Sequence, residues 1–68
     1  MNGDIRRALD AEPVPFYGAP ARACVVIHKG GWAVAWLVNT EKQPTGFQFN
    51  RVRDAISAAA YLNERNGQ

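Results

Sequence analysis

The pair Gly30-Gly31 constrains this chain more than any other feature, because it separates two β-rich runs, Ala23 to Lys29 and Trp32 to Val38. Two glycines accept positive φ without a Cβ clash, which suits the two-residue turn of a β-hairpin. With Gly30-Gly31 as the turn, Lys29 pairs with Trp32, Ile27 with Val34, Val25 with Trp36 and Ala23 with Val38. Side chains alternate along a strand, so one sheet face carries Ala23, Val25, Ile27, Trp32, Val34, Trp36 and Val38. The other carries Arg22, Cys24, Val26, His28, Ala33, Ala35, Leu37 and Asn39. A slip of one residue would exchange the two sets.

Beyond the hairpin, Asn39 to Thr45 is polar and contains Pro44, which predicts a loop. Gly46 to Asn50 predicts a third short strand, with Phe47 and Phe49 on one side. Asn50 is a suitable N-cap for a helix from Arg51 to Arg65, and Gly67 a suitable stop. Val52, Ala55, Ile56, Ala59 and Leu62 line one stripe of that helix. The stripe is small, and bulk from Trp32, Trp36, Phe47 and Phe49 complements it, so the helix is expected on the tryptophan face. Upstream, Asp4 could cap a short helix carrying Ile5, Ala8 and Leu9, which Pro13 would end. Pro13 to Pro20 holds three prolines and Gly18 among Val14, Phe16 and Tyr17, the composition of a covering arm.

The expected fold is therefore α+β. A three-stranded antiparallel sheet carries one long C-terminal helix on one face, with a short N-terminal helix and a Pro-rich arm. It forms a single domain over 1–68, with helix and arm in 1–21 and the ββ-β-α core in 22–68. A composition of 47% hydrophobic and 21% charged residues suits a packed domain and argues against a disordered chain. A domain this short buries only about 60% of its unfolded surface. Cys24 is the only cysteine, which removes internal disulfides and cysteine-based zinc sites. Dense packing or oligomerisation must then supply stability. No apolar run approaches a membrane span of about 18 residues, and the first residues lack the apolar stretch of a secretory signal. The expected location is the cytoplasm, with no membrane partner.

No catalytic set is legible. His28, the only histidine, adjoins the turn with no carboxylate near it in sequence to orient it. Cys24 reads as a packed thiol in mid-strand. The carboxylates are scattered over polar segments, and no metal, cofactor or small-molecule substrate is expected. The basic residues are more suggestive. Residues 22–68 carry six positive and three negative charges, net +3, whereas residues 1–21 carry two and three, net −1. Arg51 and Arg53 fall in the first turn of the long helix, where the helix dipole is already positive. With Arg22 and Lys29 they form a candidate anion-binding or nucleic-acid-binding set.

The run Val26-Ile27-His28-Lys29-Gly30-Gly31-Trp32-Ala33-Val34, then Gly46-Phe47-Gln48-Phe49, then Asp54-Ala55-Ile56 through Ala58-Ala59-Ala60 resembles two groups. One is a family of small uncharacterised bacterial proteins with a Gly-Gly-Trp hairpin and an alanine-rich helix, which implies the fold alone. The other comprises the sheet-plus-helix DNA-binding domains of plant ethylene-response factors and the arm-binding domains of phage integrases. That resemblance implies DNA binding through a sheet face. Here the face away from the helix offers Arg22 and His28 around an apolar middle, unlike the arginine-studded sheets of those domains.

That apolar middle, Cys24, Val26, Ala33, Ala35 and Leu37, is the candidate protein interface. One helix covers only one side of a sheet, so either the arm lids it with Val14 and Phe16 or another chain does. The expectation is a non-enzymatic protein-binding module, dimeric, whose specific instance is a phage-encoded, anti-CRISPR-like inhibitor of a host defence complex, acting in the host cytoplasm. The alternative is a nucleic-acid-binding module of the integrase-arm type.

Overall fold

A computed structural model describes residues 3–66. The elements follow in the order α1 (Gly3–Ala11), β1 (Arg22–His28), β2 (Gly31–Val38), β3 (Glu41–Phe49) and α2 (Val52–Arg65). The strands form one antiparallel sheet in the order β1-β2-β3. The α+β architecture expected from the sequence is the one observed.

The hairpin register differs from expectation by two residues. Ile27 pairs with Trp32, Val25 with Val34 and Ala23 with Trp36. The turn is Lys29-Gly30, with φ of 42° and 77°, and Gly31 is the first residue of β2. Lysine tolerates the left-handed region less well than glycine, yet the turn still forms there. Gly31 serves a different purpose. A Cβ on it would lie 3.0 Å from the Phe49 carbonyl oxygen, so any larger residue would push the β3 backbone away by a few tenths of an ångström. Because the shift is even, each side chain keeps the face assigned by alternation.

The third strand is longer than expected, and the segment predicted as a loop is its first half. Asn39 (φ 56°) turns the chain, and Val38 pairs with Glu41, Leu37 with Lys42, Trp36 with Gln43 and Ala35 with Pro44. Pro44 is tolerated because β3 is an edge strand, which need not donate outward. Between Pro44 and Gln48 the strand bulges against Val34. Gly46 (φ 92°) supplies the bend. The Thr45 hydroxyl donates to the Val34 carbonyl at 2.7 Å and accepts from the Phe47 N–H at 3.2 Å, replacing the interrupted ladder.

α2 packs on the tryptophan face, as expected. Leu9, Ala21, Ala23, Val34, Trp36, Val38, Ala58, Ala59 and Leu62 form the core, flanked by Phe47 and Phe49. Two details of α2 differ. Its N-cap is Arg51, which makes no side-chain cap, because pairing of Phe49 with Trp32 holds β3 extended up to the bend at Asn50. Asn66, not Gly67, is the C-cap residue, and Gly67 lies outside the described residues. The buried stripe is Ala55, Ala58, Ala59 and Leu62, whereas Val52 and Ile56 are 40% and 54% exposed. The helix is rotated about its axis because Asn63 must face β1. Its Oδ1 accepts from the Ala23 N–H at 2.7 Å, and its Nδ2 donates to the Ala23 carbonyl at 3.0 Å. Positions 56 and 52 lie one heptad and eleven residues before 63, so they share its line and overhang the sheet edge.

α1 begins at Gly3, so Asp4 is in its first turn and not at its cap. It packs on α2. Arg65 donates to the Leu9 carbonyl, the Tyr61 hydroxyl donates to Asp10, and the Arg6 guanidinium lies 5.4 Å from the Tyr61 ring centroid. The indole N–H of Trp36 donates to Glu12 at 3.5 Å.

Candidate protein-binding face

The second sheet face is built of cross-strand rows. Arg22, Leu37 and Lys42 form one row across all three strands, and Cys24, Ala35 and Pro44 the next. Val26, Ala33 and Gln48 form the third, and His28 pairs with Gly31 at the hairpin end. The central strand contributes the smallest side chains. Ala35 is 3% exposed and Ala33 9%, sunk between the larger side chains of the flanking strands. Cys24 and Val26 are half-buried, and Leu37 is 36% exposed. The result is a shallow trough whose accessible apolar surface comes from Cys24, Val26, Leu37 and Pro44, with Ala33 and Ala35 as its floor.

The arm does not lid this trough. Val14 packs against the core cluster, and Phe16 and Tyr17 are 69% and 60% exposed. The backbone closes on itself through a bridge between Phe16 and Pro20 and a hydrogen bond from the Ala21 N–H to Pro15 at 2.9 Å. The arm reaches the rim through Tyr17, Ala19, Pro20 and Ala21, which border an open cleft of 140 Å³ with Leu37, Val38 and Asn39.

Charge on this face has one sign. Arg22 and Lys42 flank Leu37 in the same row, and no ion pair to either is present among the described residues. Glu41, beside Lys42, pairs with the core residue Val38 and so turns to the opposite face. Asp10 and Glu12 are engaged with Tyr61 and Trp36 on the helix side. The acidic N-terminal segment is thus drawn away from the trough.

The candidate anion-binding residues do not form one patch. His28, Lys29, Gln48 and Asn50 line an open cleft of 330 Å³ at the hairpin end, with Arg51 next in sequence and Arg53 in the first turn of α2. Arg22 lies six residues back along β1, about 20 Å away at strand rise. Among the described residues no carboxylate lines the cleft to orient His28, and Cys24 is four residues from it along the strand, about 13 Å. Among the described residues no group of three or more His, Cys, Asp or Glu side chains could hold a metal ion, and no helix is long and apolar enough to cross a membrane.

No protein family, curated protein or solved structure matches this chain.

Asn63 and Thr45 are structural residues that the sequence pattern did not single out. The signal for Asn63 is a polar amide on the sheet-facing side of a helix otherwise lined with alanine.

Proposed function

We propose that this chain is a non-enzymatic module that binds another protein through the second sheet face, and that it acts as a dimer. The observation that supports this is an apolar trough without a lid among the described residues, bordered by Arg22 and Lys42 and by no carboxylate of those residues. Contiguous apolar surface left open on a small domain marks an interaction site. Its rim favours an apolar docking segment that carries acidic side chains, because opposite charges speed encounter and fix orientation. An inhibitor of a larger assembly, such as the host defence complex expected from the sequence, would work in this way, by occupying a surface and carrying out no reaction.

The test compares two affinity baits, the wild-type chain and Leu37→Glu, in a lysate of the cell that expresses it. Leu37 is partly exposed, so the variant should keep its far-UV circular dichroism. A partner retained by the wild type and lost from Leu37→Glu supports the reading. Identical sets of captured proteins on both baits, with Leu37→Glu folded, would remove it.

A second reading is a nucleic-acid-binding module that uses Lys29, Arg51 and Arg53 beside the hairpin cleft. It is favoured by three cations around the uncapped start of α2 and weakened by the distance to Arg22. Duplex binding that falls steeply with salt supports it, and no gel shift at low salt removes it.

A further inference from the structure

We infer that two copies of this chain pair through their β1 edges, antiparallel about a two-fold axis at Val26, to make one continuous six-stranded sheet. The two edges of the sheet are unlike. β3 carries Lys42, Pro44 and the Gly46 bulge, all devices that discourage further pairing. β1 carries none of them, and Ala23 to Ile27 is uncharged, regular and β-branched.

The two-residue turn closes on His28 and Gly31, so His28, Val26 and Cys24 direct their backbone groups toward β2. Ala23, Val25 and Ile27 direct theirs outward. Asn63 already satisfies both groups of Ala23. Val25 and Ile27 remain, with two outward N–H and two outward C=O groups and no partner among the described residues. A two-fold axis at Val26 sets Val25 of one copy opposite Ile27 of the other, and four hydrogen bonds satisfy all eight groups. Moving the axis by two residues either leaves Val25 unpaired or runs into Asn63. This self-complementarity selects a second copy as the occupant.

The side chains beside the edge agree. Ile27 is 77% exposed. Four strand residues span about 13 Å, or about nine helical residues, so the Ile27 level corresponds to about position 54 on α2, counted back from Asn63. Val52 and Ile56, exposed on the Asn63 line, straddle that level. Three apolar side chains per copy therefore gather at the axis. A standard interface takes about 800 Å² from each partner, roughly a sixth of the 4665 Å² this chain exposes, and this edge is smaller. The dimer should be concentration dependent, with a Kd on the order of micromolar.

This inference gives the dimer of the proposed function its geometry, but its test needs no partner protein, so it can fail while the trough still binds, and the reverse. Val26→Cys in a Cys24→Ser background places thiols on the axis as a non-hydrogen-bonded pair, whose Cα atoms sit about 4.5 Å apart and can form a disulfide. Mild oxidation should give a covalent dimer of that variant. The wild type should not cross-link, because Cys24 falls opposite His28 in this register. Light scattering from micromolar to millimolar concentration should show the wild type passing from monomer to dimer. Ile27→Pro, which removes an outward N–H and an exposed side chain but no hydrogen bond to β2, should remain folded and monomeric. A wild type monomeric throughout, or a dimer unaffected by Ile27→Pro, would overturn the inference. So would oxidation that cross-links the wild type through Cys24 and leaves the Val26→Cys variant uncoupled.

Discussion

Replacing Asn63 with alanine tests how the helix is locked to the sheet. In the native chain its amide makes two hydrogen bonds to Ala23, at 2.7 and 3.0 Å. Each bond contributes about 1 kcal/mol net. Ala23 is only 4% exposed, so solvent replaces the lost partner poorly and up to about 2 kcal/mol is lost per group. Alanine recovers roughly 0.5 kcal/mol through its higher helix propensity. The net loss for Asn63→Ala is then about 2–3 kcal/mol. A 68-residue domain holds about 3–10 kcal/mol in total, so this is a large fraction. At roughly 4–8 °C per kcal/mol, the midpoint should fall by about 10–20 °C. The assay is urea unfolding followed by circular dichroism, with amide exchange at Ala23 as the local readout. Glu64→Ala, an exposed neighbour, serves as control. A loss below about 0.5 kcal/mol, with the Ala23 amide still protected, would refute the edge-locking role.

Three further perturbations probe other joints. Gly31→Ala should destabilise by about 1–3 kcal/mol, because its Cβ meets the backbone carbonyl of Phe49 and β3 must shift; thermal melting reads this directly, and a neutral effect would contradict the close approach. Thr45→Val keeps the shape but removes the hydroxyl bridging Val34 and Phe47, and should cost about 1–2 kcal/mol in urea unfolding. The hydrogen bond to Asp10, assisted by desolvation and by the carboxylate charge, raises the Tyr61 pKa above its ordinary 10.0. A raised pKa means the fold favours the neutral phenol, so this stabilisation is complete below pH 10 and lost as pH rises through the higher folded value. Wild type should therefore exceed Tyr61→Phe in stability at about pH 8, with the difference closing in alkali; a difference independent of pH would remove the linkage.

The sequence by itself determined which side chains lie on which face of the hairpin. Alternation is a local property, and a two-residue shift in register leaves it intact. It also determined that an alanine-rich helix would pack on the face that carries Trp36, since small and large surfaces must be matched in volume. Tertiary structure decided the rest. Lys29 occupies the turn because the approach of Phe49 claims Gly31 for the strand, a contact eighteen residues away in sequence. The first half of β3 looked like a loop because Pro44 and polar side chains are disfavoured in central strands, and only its place at the sheet edge makes them acceptable. The rotation of α2, which buries Ala58 and exposes Val52 and Ile56, follows from Asn63 reaching Ala23 across forty residues. Periodicity narrows the orientation of a helix to an arc, and a directional hydrogen bond from a distant strand fixes the angle within it.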